Sequence, residues 1–271
     1  MQLFHHPYSL DSQKVRLLLE EKNIDYTSHH VNPITGKNMD PFFFRMNPSG
    51  KLPVFQNGSH IIYDTIEIIR YIERISVVSS GMDGLTPSSS EEVVQWMHRI
   101  QEWDPKYFTL FHIPVRHRTS IFKFLRRVII ARMAESPDLA SVYHLTLREA
   151  YETDEKLRNP EVLRRCEEQL IRLLDQVDSR LGESSSSSYL VGEQFTLADA
   201  MLIPVLARIS LLNLETMYIS IRPNVAKYWS GVHHRPSYKK VIGRYFDGWQ
   251  KQITLCKTWC FLHIRSMLRK Y

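Results

Sequence analysis

The spacing of apolar positions changes along the first eighty residues. "MQLFHH" reads as a short strand that Pro7 stops. In "HHPYSLDSQKVRLLLEEK" (His5–Lys22), Val15, Leu18 and Leu19 then recur at helical spacing. Asp11 or Ser12 offers the N-cap, and Asn23 a stop. "YTSHHVN" (Tyr26–Asn32) predicts a second strand, and "GKNMDPFFFRMNP" an irregular stretch with a short helix broken by Pro41 and Pro48. "LPVFQNGSHIIYD" (Leu52–Asp64) is a hairpin around Asn57-Gly58. "DTIEIIRYIERI" (Asp64–Ile75) is a helix opened by an Asp-x-x-Glu capping box, with Ile66, Ile69, Ile72 and Ile75 on one face. Strand, helix, strand, irregular helix, strand, strand, helix is the order of a small α/β domain with a mixed sheet.

The Ser- and Gly-rich "SVVSSGMDGLTPSSSEE" that follows predicts an interdomain linker. After Glu91 the apolar positions keep helical spacing, in "EEVVQWMHRIQEW" and in "NPEVLRRCEEQLIRLLDQVDSRLGE". "SSSSS" (Ser184–Ser188) is a low-complexity surface loop. "FTLADAMLIPVLARI" opens a buried helix with a Thr196–Asp199 capping box and Phe195 as its hydrophobic staple. No internal repeat is present. The expected divisions are an α/β domain over 1–78, a linker over 79–90, an all-helical domain over 91–248 and a basic amphipathic tail over 249–271.

Composition narrows the function classes. The 271 residues are 43% hydrophobic and 24% charged, with a net charge of +6, ordinary for a folded chain with about two domains. Three cysteines, Cys166, Cys256 and Cys260, form no CxxC pair, which argues against a disulfide scaffold or a zinc module and fits a reducing compartment. "MQLFHHPYS" lacks a long apolar core, so no secretory signal is expected, and no apolar run is long enough to span a bilayer. The Asn57-Gly58-Ser59 sequon is therefore read as a turn. His5-His6, His29-His30 and His233-His234 are adjacent pairs without ligand spacing, so no metal site is expected. The basic run from Arg116 to Arg132 comes without a nucleic-acid module, so nucleic acid is not expected as a partner.

Three stretches carry candidate chemistry. The polar turn Tyr8-Ser9 before the first helix either caps that helix or presents a hydroxyl to an anion at its positive end. In "SGKLPVF" (Ser49–Phe55), Pro53 is either an ordinary edge proline or follows a cis peptide that leaves the Leu52 backbone free to pair with an extended ligand. Asp64-Thr65 either merely caps its helix or receives an amino-acid headgroup, the helix start taking the carboxylate and Asp64 the ammonium. Lys37 and Lys51 are candidate cations for a further carboxylate. Together these describe a reader of a tripeptide.

"HPYSLDSQKV…NPSGKLPVF…YDTIEIIRYIE…FTLADA" resembles the cytosolic glutathione transferases over most of the chain, and within them the plant class called tetrachlorohydroquinone-dehalogenase-like, near the serine-type phi, theta and zeta classes. The resemblance implies a thioredoxin-like N-terminal domain followed by an all-α domain, and a homodimer. It implies an enzyme that activates the thiolate of glutathione, as co-substrate and without a further cofactor, for attack on hydrophobic electrophiles. It makes Ser9 the catalytic serine, Leu52-Pro53 the cis-proline element and Asp64-Thr65 the pair holding the γ-glutamyl end. Lys37 or Asn38 falls at the glycine-carboxylate contact, and Lys51 is similarly placed. "FTLADA" is the family's structural signature. Tyr8 is expected to line the pocket, with Trp96, Tyr107, Phe108 and Phe111 as candidate walls for the electrophile. Zeta-type enzymes carry "SSC"; here Asp11 takes the place of that cysteine, so thiol transfer through an N-terminal cysteine is not expected.

A second reading competes. No acidic residue lies between Asp104 and Glu135, and the tail "WQKQITLCKTWCFLHIRSMLRKY" has none. In the tail Cys256, Trp259, Cys260, His263, Ile264 and Met267 share one helical stripe. The chain is then a cytosolic protein attached to the plasma membrane by peripheral contact, with a transferase fold and little catalysis; Cys256 and Cys260 could accept palmitate. The plain alternative is a final helix whose stripe is buried on the protein.

Overall fold

The computed structural model describes residues 1–80, 90–183 and 188–246, and beyond them positions 252, 253, 256, 257, 260, 261 and 264. Strands β1 (Gln2–His5), β2 (Thr27–His30), β3 (Val54–Asn57) and β4 (His60–Ile62) form one mixed sheet in the order β2-β1-β3-β4. β1 and β2 are parallel, linked by helix α1 (Leu10–Glu21); the other pairs are antiparallel. The β3–β4 hairpin turns at Gly58, whose φ of 59° suits a residue without a Cβ. Helices α2 (Pro41–Met46) and α3 (Thr65–Ser80) complete this unit.

Local chemistry explains where the sequence pattern misplaced the edges. Pro41 does not break α2 but starts it, at a position where a missing N–H costs nothing. The cap of α1 is Ser9, not Asp11 or Ser12: its Oγ accepts the Ser12 N–H at 3.3 Å. Asp11 instead pairs with the buried Lys14 at 2.8 Å. On α3 the buried face is Ile68, Ile69 and Ile72, while Ile66 and Ile75 are only partly covered, and the helix runs on to Ser80. Residues 81–89 of the expected linker and Ser184–Ser187 of the serine run lie outside the described residues.

Every element described from Glu91 onward is helical: α4 (Glu91–Glu102), α5 (Pro105–Phe111), α6 (Val115–Glu135), α7 (Ala140–Lys156), α8 (Pro160–Gly182), α9 (Leu197–Leu211), α10 (Glu215–Tyr218) and α11 (Pro223–Val232), with short turns between and after them. α9 is buried from Leu197 to Ile209 and packs on α1 and α4, so it joins the sheet unit to the helices. Its start is built on Asp199, fully buried. That carboxylate accepts the Thr196 N–H and hydroxyl (each 2.8 Å), the Leu190 N–H (3.0 Å) and the Tyr228 hydroxyl (2.9 Å). The "FTLADA" capping box is thus structural.

Of the tail, Phe261 packs edge-on against Phe124 of α6 at 6.0 Å, beside the cluster of Met39, Phe44, Val128 and Tyr143. Cys256, Cys260 and Ile264, expected on a buried or lipid-facing stripe, are exposed, and Phe261, outside that stripe, makes the docking contact. Trp259, His263 and Met267 lie outside the described residues. No described helix is long and apolar enough to cross a membrane.

Replacing Asp199 with Ala strands four buried donors. Asp199→Ala is expected to cost about 3 kcal/mol or more of unfolding free energy, read as a lower denaturant midpoint; an unchanged midpoint contradicts the role given to this carboxylate.

Candidate functional site

Three sequence-predicted positions converge at one end of the sheet. β1 ends at His5, and the turn His6–Ser9 leads into α1. Every carbonyl of that turn is engaged. The Ser9 N–H donates to His6 O and the Gln13 N–H to Ser9 O, both at 3.0 Å. Gln13 Nε2 donates to Pro7 O at 2.6 Å, and the Arg208 guanidinium donates to Tyr8 O. Ser9 is thereby held at the first turn of α1. One lone pair of its Oγ takes the Ser12 N–H, while its O–H is directed only loosely, at 3.5 Å, toward the Leu52 carbonyl. Capping and anion binding are therefore compatible: the cap uses the oxygen and leaves the proton.

Leu52–Pro53 is a cis peptide. The ladder between β1 and β3 stops at Val54, which faces Phe4, so the half-buried Leu52 lies beyond it, and its N–H has no partner among the described residues. The preceding turn is templated by the fully buried Asn47. Its Oδ1 accepts from the Ser49 N–H at 3.0 Å and hydroxyl at 2.7 Å, and its Nδ2 donates to Lys51 O at 2.8 Å. Gly50 turns with φ 63°, and a Cβ there would meet Phe44 at 2.8 Å.

The β3–β4 ladder ends with Phe55 opposite Ile62, so the residues that follow β4 leave the sheet at the same end at which Leu52-Pro53 enter it. Asp64 is exposed and caps α3 by accepting the Glu67 N–H at 2.9 Å. The N–H groups of Thr65 and Ile66 stay free in the first turn, as at any helix start. Thr65 is buried, and its hydroxyl makes no hydrogen bond among the described residues.

The remaining candidates separate. Asn38 is half-buried; its Nδ2 donates to Gly50 O at 2.9 Å, and its Oδ1 is buried without a partner. Asn38, not Lys37, is therefore the one tied to the Leu52 loop. Lys37 and Lys51 are exposed. Tyr8 does not present a free phenol. Its hydroxyl donates to Tyr245 O at 2.8 Å, and its ring stacks on Phe246 at 5.5 Å. Of the proposed walls, Trp96 and Phe108 are core residues, Phe108 packing against Trp103 and Tyr218. Tyr107 and Phe111 are partly exposed. Gln13 and Arg208 escaped the sequence reading; no local pattern marks a side chain that folds back onto a turn or reaches it from another helix. Among the described residues no cluster of three metal-ligating side chains occurs.

Comparison with known proteins decides the family. The glutathione S-transferase N-terminal domain model matches residues 8–75, and the C-terminal domain model matches residues 160–228. A protein of Arabidopsis thaliana named Glutathione S-transferase TCHQD is 65% identical over 271 residues, all of both chains. This chain belongs to the glutathione S-transferase family. Tetrachloro-P-hydroquinone reductive dehalogenase of Sphingobium chlorophenolicum is 24% identical over 250 residues, 92% of this chain and 97% of its own. Among solved structures, glutathione transferase F2 of Populus trichocarpa superposes with a TM-score of 0.63 at 22% identity, covering 91% of this chain and 99% of that one. The thioredoxin-like unit followed by an all-α unit is thus the transferase fold.

The histidines beside the site are held neutral. Burial, then the charge of Arg16, pushes His5 down to about 2; burial, with His30 and Arg208, pushes His6 down to about 4. In the unfolded chain both protonate near 6.5. Below that pH the unfolded state binds more protons, so stability is full above about 6.5 and falls as the pH drops toward 4. Each contributes up to about 1.4 kcal/mol per pH unit there. The urea midpoint is expected to fall markedly from pH 7 to pH 5, and to fall less in His6→Gln. A midpoint flat over that range contradicts the assignment.

Proposed function

We propose that this transferase binds glutathione along Leu52 and activates its thiol at Ser9, for conjugation to hydrophobic electrophiles or for peroxide reduction. The observation that carries the reading is the Ser9 hydroxyl, its oxygen used by the cap and its proton available, at the α1 N-terminus and next to the unpaired Leu52 amide. A free thiol has a pKa near 8.5, so only a few per cent is thiolate at neutral pH. A donated O–H and the positive end of α1 both favour the anion, and one charge-assisted hydrogen bond supplies about the 1.4 kcal/mol of a full pKa unit. The thiolate then attacks the electrophilic carbon and the leaving group departs with its electron pair. Ser9 acts as a donor, not a nucleophile.

The helix start at Asp64-Thr65 takes the γ-glutamyl end, and Asn38 or Lys37, with Lys51 nearby, meets the glycine carboxylate. Residues 1–78 then form the glutathione-binding domain, joined through 79–90 to the helical domain over 91–248. Reductive dehalogenation is not carried over from that relative, because Asp11 stands where zeta-type enzymes have the cysteine that thiol transfer needs. A homodimer follows from the family resemblance, and an open cavity of about 510 Å³ lined by Ile61, Arg70, Val94 and Met97 is a place for the second copy to cover.

The membrane reading keeps one support. Arg116, Lys123 and Arg127 lie exposed on α6, and Cys256, Lys257, Cys260 and Ile264 are exposed on the tail that docks beside it. Arg126 and Arg132 do not contribute, since they pair with Asp154 and Asp40. Fractionation of the full chain against one ending at Asp247 tests this reading: wholly soluble behaviour of both contradicts it.

Ser9→Ala is expected to lower conjugation of glutathione to a chloronitrobenzene about 10²-fold with the fold retained by circular dichroism. A folded variant with full activity would remove Ser9 from the chemistry.

A further inference from the structure

Arg208 sits in the last turn of α9 and is 8% exposed. Its guanidinium donates to the Tyr8 carbonyl and, at 3.4 Å, to the Thr109 hydroxyl; its Nε is buried without a partner. No carboxylate forms an ion pair with it among the described residues. Of the other buried lysine and arginine side chains among the described residues, two have a carboxylate partner and Arg16 has only neutral ones. Lys14 meets Asp11 at 2.8 Å and Arg222 meets Asp175 at 2.6 Å, while Arg16 bonds the Tyr26 hydroxyl at 3.2 Å and lies over the Tyr245 ring.

The groups that face Arg208 supply no counter-charge. Asp11 on α1 is the nearest acid and is committed to Lys14. His6 at the end of β1 is neutral, held so by burial and in part by Arg208 itself. Tyr8 and Thr109 are uncharged. Burial lowers the Arg208 pKa to about 10, which still leaves it a cation at neutral pH. A buried charge without a partner is costly and is retained only where something offsets it. The one peptide it grips directly precedes Ser9.

We propose that Arg208 is a positioning residue for the thiolate: through the Tyr8 carbonyl it fixes the turn that presents Ser9, and its uncompensated charge favours an anion there. The missing counter-ion is the sulfur of the ligand. This rests on the reading that glutathione binds at Ser9. Arg208 does not touch the sulfur; it acts through the Tyr8-Ser9 peptide and through its field, little screened because the group is buried.

The test is titration of the thiolate absorbance of glutathione bound to the full-length chain, with rates at pH 6.5 and 8.5. In Arg208→Gln the thiolate pKa is expected to rise by about one unit, so that the rate loss at pH 6.5 exceeds that at pH 8.5 about fivefold. Arg208→Lys, which keeps the cation, is expected to stay near wild type. An unchanged thiolate pKa in folded Arg208→Gln, with the same loss at both pH values, overturns the inference while leaving Ser9 in place. A wild-type protein that binds no thiolate overturns the Ser9 reading and this inference with it. Should Arg208→Gln not fold, the wild type serves: glutathione sulfonate, permanently anionic at sulfur, should bind about tenfold more tightly than S-methylglutathione, uncharged there, and equal binding overturns the inference.

Discussion

The burial of α9 is the constraint on which the molecule depends. An apolar helix covered on all sides from Leu197 to Ile209 has no solvent to satisfy its buried start, so that end must be finished by the protein itself. At the start Asp199 gathers four donors and ties α9 to the Leu190 segment and to α11. The other end of α9 is closed by backbone bonds, and from the last turn Arg208 reaches out of the helical unit and grips the turn between β1 and α1. Because α1 and α4 pack on this same helix, the orientation of α1, and with it the direction in which Ser9 points, is fixed by the core and not by the surface loop that carries it.

The candidate site follows from that support. Each carbonyl of the His6–Ser9 turn has its own donor, so the turn has little freedom to move the hydroxyl. Across the sheet the Leu52 loop is templated by the buried Asn47, and the antiparallel β3–β4 pairing brings the end of β4, just before Asp64, to the same end of the sheet as the start of β3. Three segments distant in sequence therefore present a hydroxyl, a free amide just before β3 and an open helix start at one end of the sheet. Each is a common feature of folded chains; their convergence makes a tripeptide ligand the economical reading.

Much of this was legible in the chain. The α/β order, the Asn57-Gly58 hairpin and the structural role of Thr196–Asp199 depend on local chemistry, which a single sequence displays; the cis bond before Pro53 is left open by the residues alone and is implied only by the family resemblance. What stayed hidden depends on tertiary contact. Ser9, Asp11 and Ser12 are all capping candidates in the sequence, and only the fold chooses Ser9 among them. The face of α3 is rotated from an Ile66-Ile69-Ile72-Ile75 stripe because the buried line runs through Ile68. Trp96 and Phe108, plausible as pocket walls, are core, since aromatic spacing cannot say which surface a helix covers. Arg208, two hundred residues from Tyr8, gives no sequence signal of its destination.

The central claim is that the Ser9 turn, the Leu52 edge and the Asp64-Thr65 helix start hold one molecule of glutathione. A crystal structure of the protein with glutathione tests it most directly. The account predicts the sulfur within hydrogen-bond reach of Ser9 Oγ, the cysteinyl backbone paired with Leu52 and the γ-glutamyl end at Asp64-Thr65. Glutathione bound with its sulfur away from Ser9, or seated elsewhere on the molecule, would contradict it.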